Sequence, residues 1–313
     1  MADPAVPFYL TVAQLSKRLD GFVSDYLKGK SPETAGTYRR TLNEFERYHA
    51  VRAARPSSRF AFTPDDVEAY KRYLMDEREL SQVSVSTYLT ALRRFGEYLV
   101  ARGDLAENPA RAVKGNRRPS AHSRAVLRQD EVERLLDAVP SATAIGLRDR
   151  AIVALMVFAG LSEIEIVRAD VEDLERTLMG TVLRVQGKGR QAKDEQVPLD
   201  PPALDPLDAY LQARGAAGRP LFTSHGHRSD GARLQTRSVR GRVNTHLRAA
   251  GLKRRGVSPH SLTHTAALIW LNAGMPVEEV RRRMRHGTLE TTMISFTKQG
   301  LLTRPLDETP PDA

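Results

Sequence analysis

Apolar residues along the chain recur mostly at helical spacing. Between Thr11 and Lys28, Leu15, Leu19, Phe22, Tyr26 and Leu27 repeat every three or four positions, which predicts a first amphipathic helix. Ser31-Pro-Glu carries the signature of a helix start, with Ser31 as N-cap and Pro32 in the first turn. The helix that follows has Tyr38, Leu42, Phe45 and Tyr48 on one face. Thr63-Pro-Asp-Asp repeats that signal ahead of Val67, Tyr70 and Leu74, and a fourth stripe (Val85, Tyr88, Leu92, Phe95, Leu99) predicts a helix from about Val83 to Ala101. Four such helices make a small bundle.

The segment from Glu107 to Ser120 mixes helix breakers with basic side chains and offers little to bury, so it reads as a linker. Beyond it, Gln129–Val139 reads as a short helix, and Arg148–Gly160 is apolar on most sides and predicts a buried one. Val182–Gln186, Gly187-Lys-Gly and Asp194–Leu199 read as a β-hairpin with Lys188 at its tip. Further helices are predicted at about Pro202–Arg214, Thr236–Ala250, His260–Ala273 and Val277–Met284. The expected fold is mainly α with a small antiparallel β element. Its expected parts are a helical domain (1–106), a basic linker (107–125), a second domain (126–300) and a frayed tail (301–313).

Composition narrows the picture. A length of 313 residues allows two domains of ordinary size, each with its own core. The absence of cysteine excludes disulfides and thiolate metal sites, and the start lacks the pattern of a signal peptide. No apolar run approaches the roughly 20 residues that span a bilayer. A cytoplasmic protein without a membrane partner is expected. Lys and Arg number 48 against 38 Asp and Glu, a net +10, which favours a polyanionic partner such as nucleic acid. The densest basic run is Arg228, Arg233, Arg237, Arg240, Arg242, Arg248, Lys253, Arg254 and Arg255, against the single acid Asp230. Thr236 is the expected N-cap there. Arginines in the first turn oppose the helix dipole, a cost that a phosphate partner relieves.

Two stretches then carry a resemblance: Val257-Ser-Pro-His-Ser-Leu-Thr-His-Thr-Ala-Ala, and Met284-Arg-His-Gly-Thr-Leu-Glu-Thr-Thr-Met-Ile-Ser-Phe. With Gly160-Leu-Ser-Glu-Ile-Glu-Ile, Val185-Gln-Gly-Lys-Gly-Arg, Val197-Pro-Leu, Ser84–Leu99 and Glu107-Asn-Pro-Ala, they resemble the tyrosine-recombinase (phage-integrase) family over roughly residues 12–300. The resemblance implies a core-binding helical domain and a catalytic domain closing as a clamp on double-stranded DNA. In that family a tyrosine hydroxyl attacks a DNA phosphate, two arginines clamp the phosphate oxygens, a hairpin lysine protonates the leaving oxygen and histidines position the phosphate.

Matched position by position, Lys188 takes the hairpin lysine, His260 and His264 the histidines of His-x-x-Arg-His, and His286 the later histidine or tryptophan position. The arginine positions hold Ser162 and Thr263, where Gly-Leu-Arg-x-x-Glu-Leu and His-x-x-Arg-His place guanidinium groups. The nucleophile position, nine residues beyond His286, holds Ser295. The tyrosines are 9, 26, 38, 48, 70, 73, 88, 98 and 210, so a shift of register recovers none. Arg168 lies six residues past Ser162, about 600° of helical turn, and is directed to another face. His260 and His264, one helical turn apart, could with His286 hold zinc, but no carboxylate takes the Glu position of His-Glu-x-x-His, so neither metal nor cofactor is expected. A serine hydrolase lacks its nucleophile elbow.

The expectation is therefore a DNA-binding homologue that is not an enzyme, acting near the nucleoid as an accessory, regulatory, architectural or repair factor. The alternatives are an active recombinase with relocated catalytic residues, and a subunit that partners itself or an active recombinase. The candidate DNA contacts are Arg39, Arg40, Arg93, Arg94, Arg117, Arg118, Lys188, Arg237, Arg240, Arg242, Arg248 and Lys253.

Overall fold

A computed structural model describes residues 9–30, 32–53, 55, 59–115, 125–178, 180–187, 190–215, 218–225 and 231–286. It divides into two compact units, residues 1–120 and 121–313. Among the described residues no helix is long and apolar enough to cross a membrane.

In the N-terminal unit a strand, β1 (Tyr9–Thr11), leads into α1 (Val12–Gly21), whose start is a capping box between Thr11 and Gln14. The sequence predicts one helix to Lys28, but at Phe22–Tyr26 the chain widens into a π-turn. That turn stacks the Phe22 and Tyr26 rings 4.9 Å apart and sets Phe22 edge-on to Phe95 and Tyr98. Aromatic packing thus outweighs regular helical pairing. Then come α2 (Pro32–Arg52), β2 (Arg59–Ala61), α3 (Pro64–Asp76) and α4 (Gln82–Ala101). Thr63 caps α3 as expected, in a reciprocal pair with Asp66. The antiparallel β1–β2 pair was not expected, because three residues are too few to show a two-residue period.

The first part of the supposed linker departs from expectation. Residues Pro109–Ala112 form a helical turn, α5, and Pro109, Ala110 and Val113 are buried. Asn108 caps this turn through Ala110 N and donates to Arg93 O at 2.8 Å, while Arg93 donates to Ala110 O and Val113 O at 3.2 and 2.8 Å. Gly96 permits the approach, since a Cβ there would lie 2.1 Å from Asn108 Oδ1. The apolar residues are few, but backbone-directed hydrogen bonds hold them against α4.

Tyr70 lies at the centre of this unit, fully buried between Phe45 and Tyr48, with its hydroxyl unpartnered among the described residues. Burial pushes the phenol's pKa upward, so it stays neutral and stores a desolvation cost. Tyr70→Phe is expected to stabilise the unit by about 1 kcal/mol, seen as a rise of a few degrees in the thermal midpoint. An unchanged or lower midpoint would mean that the hydroxyl is satisfied.

The C-terminal unit opens with α6 (Gln129–Asp137), then α7 (Ala144–Phe158), whose Ala151–Val157 are all buried. A short α8 (Glu163–Arg168) leads to an antiparallel sheet of β3 (Leu174–Thr177), β4 (Gly180–Val185) and β5 (Glu195–Leu199), in the order β3-β4-β5. The hairpin β4–β5 pairs Leu183 with Val197, and alternate residues Leu183, Val185, Val197 and Leu199 face the core. Strand β3 was not expected, because its burial pattern is too polar to stand out. Helices α9 (Pro201–Arg214), α10 (Thr236–Ala249), α11 (Pro259–Asn272) and α12 (Val277–Arg283) complete the unit. Thr236 begins α10 rather than capping it; Gln235 holds the N-cap position.

Candidate functional site

Position 162 is the N-cap of α8. Ser162 donates through its backbone N and its Oγ to Glu165 Oε2, both at 2.7 Å, and Oγ accepts from Glu165 N. This box satisfies the first turn of α8 and fixes a buried carboxylate, Glu165, directly beside Ser162. The preceding residue, Leu161, offers its carbonyl to Thr263 Oγ1 at 3.1 Å, which fastens α11 to the start of α8. The two positions that lack arginine are therefore neighbours, each occupied by a hydroxyl that serves the local backbone.

A guanidinium reaches the same place from elsewhere in the chain. Arg285, in the turn after α12, donates from Nε to Glu165 Oε1 at 2.6 Å. Its Nη2 donates to Glu165 Oε2 at 3.0 Å and to Gly160 O at 2.8 Å. Its side chain is 8% exposed, and its backbone φ of 56° lies in the left-handed region that glycine favours. Sequence reasoning missed this residue. Its only local signal is an arginine next to His286, at the end of the run Arg281-Arg-Arg-Met-Arg.

His286 is half-buried beside Arg285. Burial, then Arg285, His260 and Arg281, hold its imidazole below the usual pKa, so it stays neutral. Arg281 Nη1 donates to His286 O at 2.9 Å and steadies the turn. On α11 the exposed His260 and buried His264 place their rings 4.7 Å apart, edge to face. Across from them, Gly187 at the shoulder of the hairpin lies beside Glu165, 3.9 Å from Oε1 to an added Cβ. Arg168 turns away from Ser162, as its helical offset requires, and holds that shoulder through Gly187 O at 2.9 Å. The structure thus gathers Ser162, Thr263, Glu165, Arg285, His260, His264 and His286 around the base of the hairpin. Lys188 and Ser295 lie outside the described residues. Among those described, no group of three potential ligands is placed to hold a metal ion.

The predicted DNA contacts divide. Arg237 and Arg248 stand exposed on α10, and Arg39 and Arg40 stand exposed on α2. Arg240 forks onto Glu163 at 3.1 and 2.8 Å, and Arg242 turns to the buried Asp149 at 2.6 Å. Lys253 donates to Asn244 Oδ1 and Val257 O, Arg254 pairs with Glu131 at 2.9 Å, and Arg233 pairs with Asp170. In the N-terminal unit Arg94 pairs with Glu97 at 2.8 Å and Arg93 binds the backbone of α5. Arg117, Arg118 and Arg228 lie outside the described residues.

Residues 125–299 match the model of the phage integrase family, and residues 19–103 and 67–113 match that of the phage integrase N-terminal SAM-like domain. Among relatives, tyrosine recombinase XerC of Myxococcus xanthus is 31% identical over 274 residues, 85% of this chain and 87% of that protein. Tyrosine recombinase XerC of Neisseria gonorrhoeae is 32% identical over 297 residues, 90% and 92% of the two chains. Two solved structures share the fold. One is a lambda integrase dimer bound to a COC′ core site, with TM-score 0.70 and 18% identity over 97% of this chain and 81% of that one. The other is XerH site-specific recombinase bound to difH substrate, with TM-score 0.68 and 18% identity over 90% and 81%.

These matches correct one expectation. A chain that is not an enzyme was expected from Ser162, Thr263 and Ser295, yet its relatives across most of its length carry the name of an enzyme, tyrosine recombinase. The physical reason for the error is visible at Glu165. Residue types at three positions leave out what other segments bring beside them, as folding brings Arg285 to Glu165.

Proposed function

Because the chain belongs to the phage integrase family, we propose that it is an active site-specific DNA recombinase in which the groups acting on the phosphate have been relocated. The observation that carries the reading is the pairing of Arg285 with Glu165 beside Ser162. A buried guanidinium is costly to keep, and this one shares Glu165 with Ser162, which takes the position of an arginine in the family pattern. Double-stranded DNA is the substrate. The exposed Arg237 and Arg248 of α10 and Arg39 and Arg40 of α2 supply phosphate contacts, and such a protein works at the nucleoid.

In this reading the Ser295 hydroxyl, at the nucleophile position, attacks the phosphorus. A bond forms between Oγ and phosphorus, the bond from phosphorus to the 5′ oxygen breaks, and Lys188 gives that oxygen its proton. Serine needs a base to take its own proton, and a histidine held neutral, as His286 is, has the required chemistry. A second 5′ hydroxyl then attacks the phosphorus and gives its proton to Lys188, the bond from Oγ to phosphorus breaks, and the histidine returns the proton to Ser295 Oγ, which completes strand exchange.

The test is a pool of nicked 40-bp duplexes with randomised cores, scored for binding across a salt series and for covalent adducts under denaturing conditions. Affinity is expected to fall about 10³-fold or more between 50 and 200 mM salt if six or more phosphates are contacted. An SDS-resistant adduct is expected, and it should vanish in Ser295→Ala. Binding without any adduct would overturn the reading and assign strand cleavage to a partner recombinase.

A further inference from the structure

We propose that Arg285 is the phosphate-binding arginine of this site, its guanidinium delivered from the turn after α12 into the place that Ser162 leaves open. The inference rests on the recombinase reading above. The segment Gly160-Leu-Ser-Glu-Ile-Glu-Ile keeps the glutamate of the pattern Gly-Leu-Arg-x-x-Glu-Leu and loses its arginine, so Glu165 remains as a buried carboxylate without the local cation. Arg285 supplies that cation. A single oxygen, Glu165 Oε2, accepts from both Ser162 Oγ and Arg285 Nη2, so the guanidinium stands one atom away from the vacated position.

Three further observations favour a binding role over a simple counterion. First, Arg285 holds a left-handed backbone conformation that costs an ordinary residue about 1–2 kcal/mol and glycine almost nothing. A turn alone would be better made by glycine; the side chain is what the strained position supplies. Second, Nε and Nη2 are fully used on Glu165 and Gly160, and Nη1 donates to Arg283 O, which leaves one Nη1–H without a partner among the described residues. The carboxylate's grip on the Nε/Nη2 edge fixes the direction of that remaining N–H, as preorganised anion sites require. Third, His286 follows directly, and the hairpin shoulder at Gly187 lies against the same Glu165. An anion lodged there meets Arg285, His286 and the hairpin together.

Trp270 is the chain's one tryptophan and lies against Gly160, whose carbonyl Arg285 holds, so its fluorescence reports on the site. The experiment titrates the full-length protein with inorganic phosphate and follows Trp270 emission, with the thermal midpoint and duplex affinity measured on the same samples. Arg285→Gly is expected to weaken phosphate binding about tenfold or more, the loss of one charge-assisted contact. The exchange Ser162→Arg with Arg285→Gly returns the guanidinium to the local position and is expected to restore phosphate binding. Unchanged phosphate affinity in Arg285→Gly, or no restoration by the exchange, overturns the proposal. If Arg285→Gly does not fold, the exchange variant decides alone, since it keeps Glu165 paired: retained binding supports the proposal and lost binding overturns it. Phosphate binding that depends on Arg285 in a protein that forms no DNA adduct would sink the recombinase reading and leave this inference standing. Adduct formation indifferent to Arg285→Gly would do the reverse.

Discussion

Replacing Asp149 by alanine is expected to cost the C-terminal unit about 3–5 kcal/mol, the range for removing one partner of a buried charge network. Asp149, on α7, is 1% exposed, and both carboxylate oxygens are engaged. Oδ1 accepts from Arg148 Nε and Nη2 at 3.1 and 2.8 Å; Oδ2 accepts from Arg242 Nε at 2.6 Å and pairs with His246 Nε2 at 2.9 Å. Arg148 also holds Thr223 O at 3.0 Å, so the network ties α7 to α10 and to the segment after α9. Burial alone would raise the Asp149 pKa, but His246, Arg148 and Arg242 together hold it below the usual carboxylate range. Its contribution is therefore complete above the unfolded carboxylate pKa and is lost as pH falls through the lower folded value.

Alanine leaves the guanidinium of Arg148 buried without a counterion, which is the source of the cost. Arg242→Ala removes a half-exposed partner and leaves two others, so about 1 kcal/mol is expected there. Urea unfolding of both variants measures the difference. A loss from Asp149→Ala no larger than that from Arg242→Ala would refute the network as the unit's electrostatic centre.

The second large effect is a loss of stability in acid that centres on His49. Its ring stacks on Phe60 with centroids 3.5 Å apart and meets Phe45 and Tyr48 edge-on. Burial, with Arg52 adding to it, lowers the imidazole pKa from 6.5 to about 4. The folded state thus prefers the neutral ring, while the unfolded chain binds a proton near pH 6.5. The stability at stake is fully present above pH 6.5 and declines as pH falls toward 4, by about 3 kcal/mol at the lower end. His49→Phe keeps the stacking and removes the proton site, so it should flatten the stability profile between pH 6.5 and 4. If the profile of His49→Phe falls as steeply as that of the original chain, the acid sensitivity lies in other groups.

Much of the fold was legible because its signals are local. The cap at Thr63, the apolar stripes of α2, α3 and α4, and the buried run on α7 each lie within one element, where spacing alone sets the face. The hairpin of Val182 and Val197 was legible for the same reason, since its alternation matches the pleat. The β1–β2 pair was not, because its partners are some fifty residues apart and only three residues long. The packed turn at Pro109–Val113 was hidden because its hold depends on hydrogen bonds from Arg93 and Asn108 rather than on apolar residues.

The candidate site divides along the same line. Ser162, Thr263, His260 and His286 could be found by position, but their surroundings could not. Arginine looks the same in sequence whether its guanidinium meets water, a phosphate or a carboxylate. Arg237 and Arg248 point outward, Arg242 turns inward to Asp149, and Arg93 serves a neighbouring backbone. By itself the sequence determined the family pattern, the helices and their faces, the excess of positive charge, and which residue types stand at the reacting positions. Only the tertiary structure decided which charges meet. Arg285 reaches Glu165 across a separation of 120 residues because folding lays the turn after α12 against α8. Such a pairing depends on distances that no local pattern encodes, and at low dielectric those distances govern the electrostatics of the site.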